Sequence, residues 1–226
     1  MPRPIKKYVK KSDYEETDIR ETVEDIRERL KGQQRTLIYA LLAFGIVVIA
    51  VGGFYIYHSV STSRAEELRY EGYKLFHGMT QAPFAAPAER YKSALEKFKE
   101  SYATRKNPAT LLYIANSHYE LGNYDEAITT LKELTARYSD PRIMPLATYK
   151  LGMTYLKKGD VNNALTTFNN LAAIKDSPFQ DMALLESGKI LESMGKTEEA
   201  KAKYQELVNK FPRSAAVSEA KARLGS

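Results

Sequence analysis

The most constraining feature of this 226-residue sequence is an uncharged stretch of 28 residues, 36–63, in a chain that otherwise carries 34 Lys or Arg and 28 Asp or Glu. Its central run, residues 37–57, is 21 residues long. As an α-helix this run spans about 30 Å, the thickness of the hydrocarbon core of a bilayer. Tyrosines lie near both ends of the run, and Arg35 and Arg64 bracket the stretch. The sequence therefore predicts a single transmembrane anchor over 36–63, with its core at 37–57.

A cleaved signal peptide is the alternative interpretation of this stretch. Its apolar part would be shorter, roughly 7–15 residues, and nearer the N-terminus, whereas 35 residues come first here. The orientation follows from an excess of Lys and Arg on the N-terminal side of the span, because such residues are retained in the cytoplasm. The five on that side are Arg20, Arg27, Arg29, Lys31 and Arg35, and the three beyond the span are Arg64, Arg69 and Lys74. This bias predicts a single-pass protein with a cytoplasmic N-terminus and an exported domain over 64–226.

Residues 1–35 form the predicted cytoplasmic tail. Met1–Lys11 is basic and contains two prolines, which favours an extended segment that either helps to set the topology or binds anionic lipid or RNA. A short amphipathic helix follows, whose apolar residues recur at intervals of 4, 3 and 4: Ile19, Val23, Ile26 and Leu30. This apolar seam lies on the membrane, packs on a partner or associates weakly with itself.

Residue types that carry chemistry are scarce. Cysteine is absent, which excludes disulfides, thiolate zinc sites and cysteine nucleophiles. The three histidines, His58, His77 and His118, are far apart, and no glycine-rich phosphate loop or nucleophile elbow is present. The net charge of +6 divides into +2 for residues 1–35 and +4 for the rest, too little to indicate a nucleic acid partner. We therefore expect no enzyme activity, cofactor, metal or small-molecule substrate.

Internal repeats are visible in the exported part. A small residue is followed twelve residues later by an alanine, and four residues further on by a large apolar or aromatic residue, in three copies: Ala115, Ala127, Leu131; Gly152, Ala164, Phe168; Gly188, Ala200, Tyr204. A glycine turn lies inside each copy, at Gly122, Gly159 or Gly195. Each copy is therefore predicted to be two helices joined by a tight turn, with the small residue where the helices approach and the bulky one filling the seam.

A degenerate copy precedes these three, with Gly72, Ala94 and Phe98 and about ten extra residues centred on 81–87. The alanines of the four copies step by 33, 37 and 36 residues, periods that indicate an α-solenoid. The predicted fold class is all-α, a transmembrane helix followed by a solenoid of helix pairs. The expected units are 64–107, 108–144, 145–180 and 181–213, followed by a capping helix at 214–224.

This pattern resembles the tetratricopeptide repeat, most closely at Leu151-Gly152-Met153-Thr154-Tyr155. Two departures are Ser187, in place of the usual leucine, and His118, in place of the usual tyrosine. The resemblance implies a binding groove lined by the first helix of each pair, which falls on Tyr73, Phe76, Leu112, Asn116, Tyr119, Tyr149, Met153, Leu156 and Lys189. Such a groove suits an extended or helical peptide with apolar anchors. Leu112 and Leu156 are alternatively core residues, and a carboxylate clamp is not reproduced, since only Asn116 matches it.

The layout of a short tail, one span and a repeat domain is similar to that of the bacterial ancillary SecYEG translocon subunit (YfgM-like) family, which is related to the repeat domain of the cell division coordinator CpoB. The resemblance implies a periplasmic scaffold anchored in the inner membrane, which contacts the translocon, exported polypeptides or periplasmic chaperones. A structural assembly factor for a cell-envelope or cell-division complex is the alternative.

Overall fold

The computed structural model describes the backbone of residues 11–79 and 86–225, and the side chains from Arg20 onward within these ranges except Leu30. Regular structure in these ranges is entirely helical, which confirms the predicted all-α class. The helices are α1 Lys11–Phe76, α2 Pro87–Thr104, α3 Pro108–Glu120, α4 Tyr124–Arg137, α5 Met144–Lys158, α6 Val161–Ala173, α7 Gln180–Ser193, α8 Thr197–Lys210 and α9 Val217–Leu224. The basic residues before Lys11 and most of the 81–87 insert lie outside the described residues.

The chain divides into two units, Met1–Ser59 and Val60–Ser226. The first unit is the N-terminal part of α1, in which the apolar side chains remain exposed, for example Ile49 at 76% and Tyr55 at 73%. One stretch of α1 is long and apolar enough to cross a membrane. The helix passes through Gly32 without a break, so the short amphipathic helix expected before the anchor is continuous with it.

In the second unit each helix from α2 onward packs against the next one along the chain, and the end of α1 packs on α2 at Gly72 and Phe98. The seam between the helices of a pair depends on a close fit between a small residue and a large one. A Cβ atom on Gly152 would lie 2.7 Å from the Phe168 ring, and Gly72 and Gly188 face the rings of Phe98 and Tyr204 as closely. The α3–α4 seam instead combines buried Ala115 with buried Leu131. The predicted pairing of small and bulky residues is confirmed. The small residue is glycine where the bulky one is aromatic, and alanine where the bulky one is leucine.

The turns inside the pairs end their first helices on glycine, as predicted. Gly122, Gly159 and Gly195 have φ angles of 77°, 85° and 75°, a left-handed conformation that side chains with a Cβ atom rarely adopt. At the second of these turns the Asp160 amide donates to the Tyr155 carbonyl at 2.9 Å. Together with the Gly159 amide, which donates to the Leu156 and Tyr155 carbonyls, this bond satisfies carbonyls at the end of α5 that have no partner within the helix.

The last helix begins at Val217, three residues after the expected start at Ser214. Ser214 donates its hydroxyl hydrogen to the Asp181 carboxylate at the start of α7, and its oxygen accepts from the Ala216 amide. Ser214 is therefore part of the turn that precedes α9. The helix and the residue before it cover the end of the repeats, because Ala220 and Ala216 are buried with Leu207 and Tyr204 of α8.

Candidate functional site

The first helices of successive pairs form one continuous surface, which we call the first-helix face: the C-terminal turns of α1 together with α3, α5 and α7. Side-chain interactions join each of these helices to the next. The Tyr73 and Tyr113 ring centres are 5.9 Å apart, which joins α1 to α3. Lys150 Nζ lies 6.0 Å from the centre of the Tyr119 ring, which joins α5 to α3. Tyr149 of α5 stacks on Phe179, the residue that precedes α7.

The α1 end of the first-helix face is an aromatic cluster. Tyr113 stacks on buried Phe98 with ring centres 4.9 Å apart and meets the edge of Phe76 at 5.7 Å. Tyr73 also contacts His77, with ring centres 4.4 Å apart. Burial raises the pKa of Tyr113, with nearby Tyr73 adding to the effect. Contact with buried Phe98 fixes this cluster on the core, while Tyr73, Phe76 and Tyr113 remain partly exposed. These three rings therefore offer a rigid apolar contact area.

The middle of the face is built from tyrosines of α3 and α5. Tyr149 stacks on Phe179 with ring centres 5.4 Å apart, and Tyr119 meets Tyr124 at 5.7 Å. Burial raises the pKa of both Tyr119 and Tyr149, and in Tyr149 the negative charges of Glu186 and Asp181 also raise it. Both hydroxyl groups therefore remain neutral hydrogen-bond donors at physiological pH.

The α7 end of the face is charged. Lys189 Nζ lies 3.1 Å from the Glu186 carboxylate and 3.5 Å from that of Glu219 in α9. The Glu186 side chain is only 11% exposed, so Lys189 offsets a carboxylate that is largely removed from water. The face therefore changes along its length from aromatic at α1 to ionic at α7.

The residues expected to line a groove do not share one environment. Leu112 is only 8% exposed and packs in the hydrophobic core, so its inclusion in the groove is wrong; it is buried between helices rather than on their surface. Met153 and Leu156 are partly exposed and pack against the same core. Asn116 is half-buried on α3, while Tyr73, Phe76, Tyr119, Tyr149 and Lys189 make the contacts described above.

Three residues of the face were missed by the sequence reasoning, namely Tyr113, Lys150 and Glu186. Each lies two residues before the small residue of its repeat, a position that the expected groove did not include. The chemical variety at this one repeat position, tyrosine, lysine and glutamate, is the signal that distinguishes it from a position in the apolar core, although Glu186 itself is largely buried.

Stacked helix pairs with a continuous first-helix face define a class of protein, the α-solenoid scaffolds that bind other proteins. Residues 33–223 match the model of the tetratricopeptide repeat-like domain, and the chain belongs to that family. Among the described residues, no group of three or more histidine, aspartate or glutamate side chains is placed to hold a metal ion.

Solved structures show the same fold. A tetratricopeptide repeat protein from Parabacteroides merdae is 17% identical with a TM-score of 0.58, and the match covers 72% of this chain and 59% of that one. MamA, residues 41 to the end, from Desulfovibrio magneticus RS-1 is 20% identical with a TM-score of 0.55, covering 72% of this chain and 82% of that one. No curated protein matches the sequence. At these identities the likeness concerns the fold alone.

Proposed function

We propose that the protein is a membrane-anchored, non-enzymatic scaffold that binds an extended or helical polypeptide on its first-helix face. The observation that carries this proposal is the partly exposed aromatic side chain on each successive first helix, Tyr73, Tyr119 and Tyr149, each of which contacts a further ring. Aromatic rings on a rigid support give large contact area at little entropic cost and tolerate varied partner sequences. Asn116, Met153 and Leu156 complete the proposed face beside them.

The charged end of the face makes the two ends of the proposed site chemically different. A partner that lays apolar side chains on Tyr73 and Tyr113 reaches Lys150 in the middle and the Glu186–Lys189 pair beyond it. The chemical gradient gives the two ends of a bound segment different surroundings. It therefore favours one direction of binding over the other.

The proposed anchor is the apolar stretch of α1. Its side chains are exposed in the protein itself, and hydrocarbon is the environment that removes such a surface from water. The excess of Lys and Arg before the stretch supports a cytoplasmic N-terminus with the repeats exported to the periplasm of a bacterium. In that position the scaffold serves the Sec translocon or periplasmic chaperones, as the layout of the chain suggested.

In-cell photocrosslinking tests this function. A photoreactive amino acid replaces Tyr119 or Tyr149 on the face, and a matched control replaces Ala136, an exposed residue of α4. We expect adducts with translocon subunits, chaperones or exported chains from the two face positions and none from Ala136. Equal adducts from all three positions, or none from the face, would refute the proposal. A single stoichiometric, salt-resistant partner would favour an envelope or cell-division assembly factor instead.

A further inference from the structure

The helical segment before the anchor has an exposed apolar strip that the scaffold function does not use. Val23 and Ile26 lie close together on one side of α1 and are 56% and 52% exposed. Ile19 and Leu30 continue the same spacing in the sequence, four residues to either side. An apolar strip on a helix whose described members are exposed indicates a surface that is covered in the working protein.

Charges around this strip are sorted by sign. At 3.6 residues per turn, Arg20, Arg27 and Arg29 lie about 70–90° from the centre of the strip, on both of its sides. The acidic residues lie at about 130° or more, on the opposite side of the helix: Glu21, Glu24, Asp25 and Glu28. Arg29 pairs with Asp25 at 3.1 Å, and since both side chains are more than half exposed, the pair exchanges readily for another anion.

The candidates for covering the strip are a second copy of this helix and a layer of anionic lipid headgroups. The sorting of charges discriminates between them. In a parallel pair of identical helices, the positions that flank the apolar strip of one copy face those of the other, and they need opposite charges. Arg27 and Arg29 would meet Thr22 and Gln34 of a second copy, which lie five residues away in the sequence, so that copy offers these two arginines no acidic complement. A layer of anionic headgroups offers that complement on both sides, while the acidic side faces water.

We propose that Arg20–Lys31 lies along the anionic lipid surface of the membrane that α1 enters. This inference rests on the proposed anchor. In a straight helix perpendicular to the bilayer, Ile26 is about 16 Å beyond Leu37 and the edge of the hydrocarbon, whereas the headgroup layer is about 5–7 Å thick. The strip therefore reaches lipid when α1 bends after Leu30.

Gly32 is suited to that bend. It lies between the strip and the anchor, is followed by Gln33 and Gln34, and has no heavy atom within 4 Å of the place where a Cβ would be. Glycine is the weakest helix former apart from proline and is a common site of helix kinks. The open space also means that Gly32→Ala fits without a clash, so this variant stiffens the helix and changes little else.

The test uses the full-length chain, which has no native cysteine, in single-cysteine variants that carry a spin label. Ile26→Cys labels the apolar strip, Glu28→Cys is the matched control on the acidic side, and Val47→Cys reports on the anchor. Each variant is reconstituted into vesicles of phosphatidylglycerol and phosphatidylcholine in equal parts, or of phosphatidylcholine alone. Collision with oxygen reports lipid exposure of the label, and collision with a soluble nickel complex reports water exposure.

In phosphatidylglycerol vesicles we expect the Ile26 label to be exposed to oxygen and shielded from nickel, and the Glu28 label to show the reverse. Arg20→Gln and Arg27→Gln each lower the ratio of lipid-bound to free segment about fivefold. Gly32→Ala and phosphatidylcholine alone both move the Ile26 label toward water.

Three results would overturn the inference. An Ile26 label in water, with the Val47 label in lipid, refutes the surface helix while leaving the anchor intact. Dipolar broadening between Ile26 labels of different molecules shows that a second copy covers the strip instead. A Val47 label in water removes the anchor and the surface helix together, and leaves the crosslinks from the first-helix face as a separate test of binding.

Discussion

Adding one methyl group at Gly152 should destabilise the repeats, although alanine is the better helix former. The new Cβ would lie 2.7 Å from the ring of Phe168, whose side chain is fully buried and cannot move aside. Overpacking of this kind lowers the free energy of unfolding by about 1–3 kcal/mol, and the higher helix propensity of alanine offsets about 1 kcal/mol of this loss. We expect Gly152→Ala to lower the free energy of unfolding by about 1 kcal/mol.

A double-mutant cycle isolates the interaction between the two seam residues, and its second substitution is Phe168→Leu. Alone it leaves a void at the seam and costs about 1–2 kcal/mol. Combined with Gly152→Ala, it recreates the Ala115–Leu131 combination that the α3–α4 seam already uses. The methyl group then fills part of the void instead of striking a ring, so the two substitutions should couple favourably by about 1–2 kcal/mol.

The free energy of unfolding is measured for the unaltered protein, the two single variants and the double variant. Each full-length chain is unfolded with urea in detergent micelles and followed by far-ultraviolet circular dichroism. The reverse cycle at α3–α4 is the matched control: Leu131→Phe alone should clash with Ala115, and adding Ala115→Gly should relieve the clash. If the effects at Gly152 and Phe168 add to within about 0.3 kcal/mol, the seam is not a fitted pair and the reasoning fails.

The remaining predictions concern single positions. Gly159→Ala should cost about 1 kcal/mol in urea unfolding because of its φ of 85°, and Gly159→Asn less, since asparagine tolerates that conformation; equal costs would contradict this. Burial lowers the pKa of His118, so folding favours its neutral form and stability should fall as the pH drops below about 6.5, the ordinary pKa of histidine. His118→Tyr should weaken this fall in urea midpoints between pH of about 7.5 and about 5.5, and an unchanged pH profile would contradict it. Lys189→Met should cost about 1–3 kcal/mol in thermal unfolding because it leaves the largely buried Glu186 unpaired, whereas Lys210→Met, at an exposed pair, should cost less than about 1 kcal/mol.

Features fixed by local geometry were predictable from the sequence. Gly159 and its equivalents were recognised because a left-handed turn selects glycine, and the partnership of Gly152 with Phe168 follows from helical spacing alone. These two regularities were sufficient for the all-α repeat fold. They also placed Tyr119 correctly in its pair of helices.

Features that depend on neighbouring pairs were not predictable in the same way. Leu112 and Tyr149 occupy the same repeat position, yet Leu112 is buried while Tyr149 stays partly exposed against Phe179. The difference lies in what packs above each residue, which repeat spacing does not specify. Glu186 was missed for a similar reason, because its burial depends on Lys189 and on a helix that follows the repeats.

The fitted seams also have an evolutionary consequence. The small residue and the bulky residue of each seam belong to the same helix pair, so a pair carries its own fit wherever it is copied. Duplication or deletion of whole pairs therefore preserves every seam. Recombination that exchanges α4 for α6 would set Ala115 against a phenylalanine and Gly152 against a leucine. The first seam would then be overpacked, and the second would contain a void. The heritable module of this array is for that reason the helix pair and not the single helix.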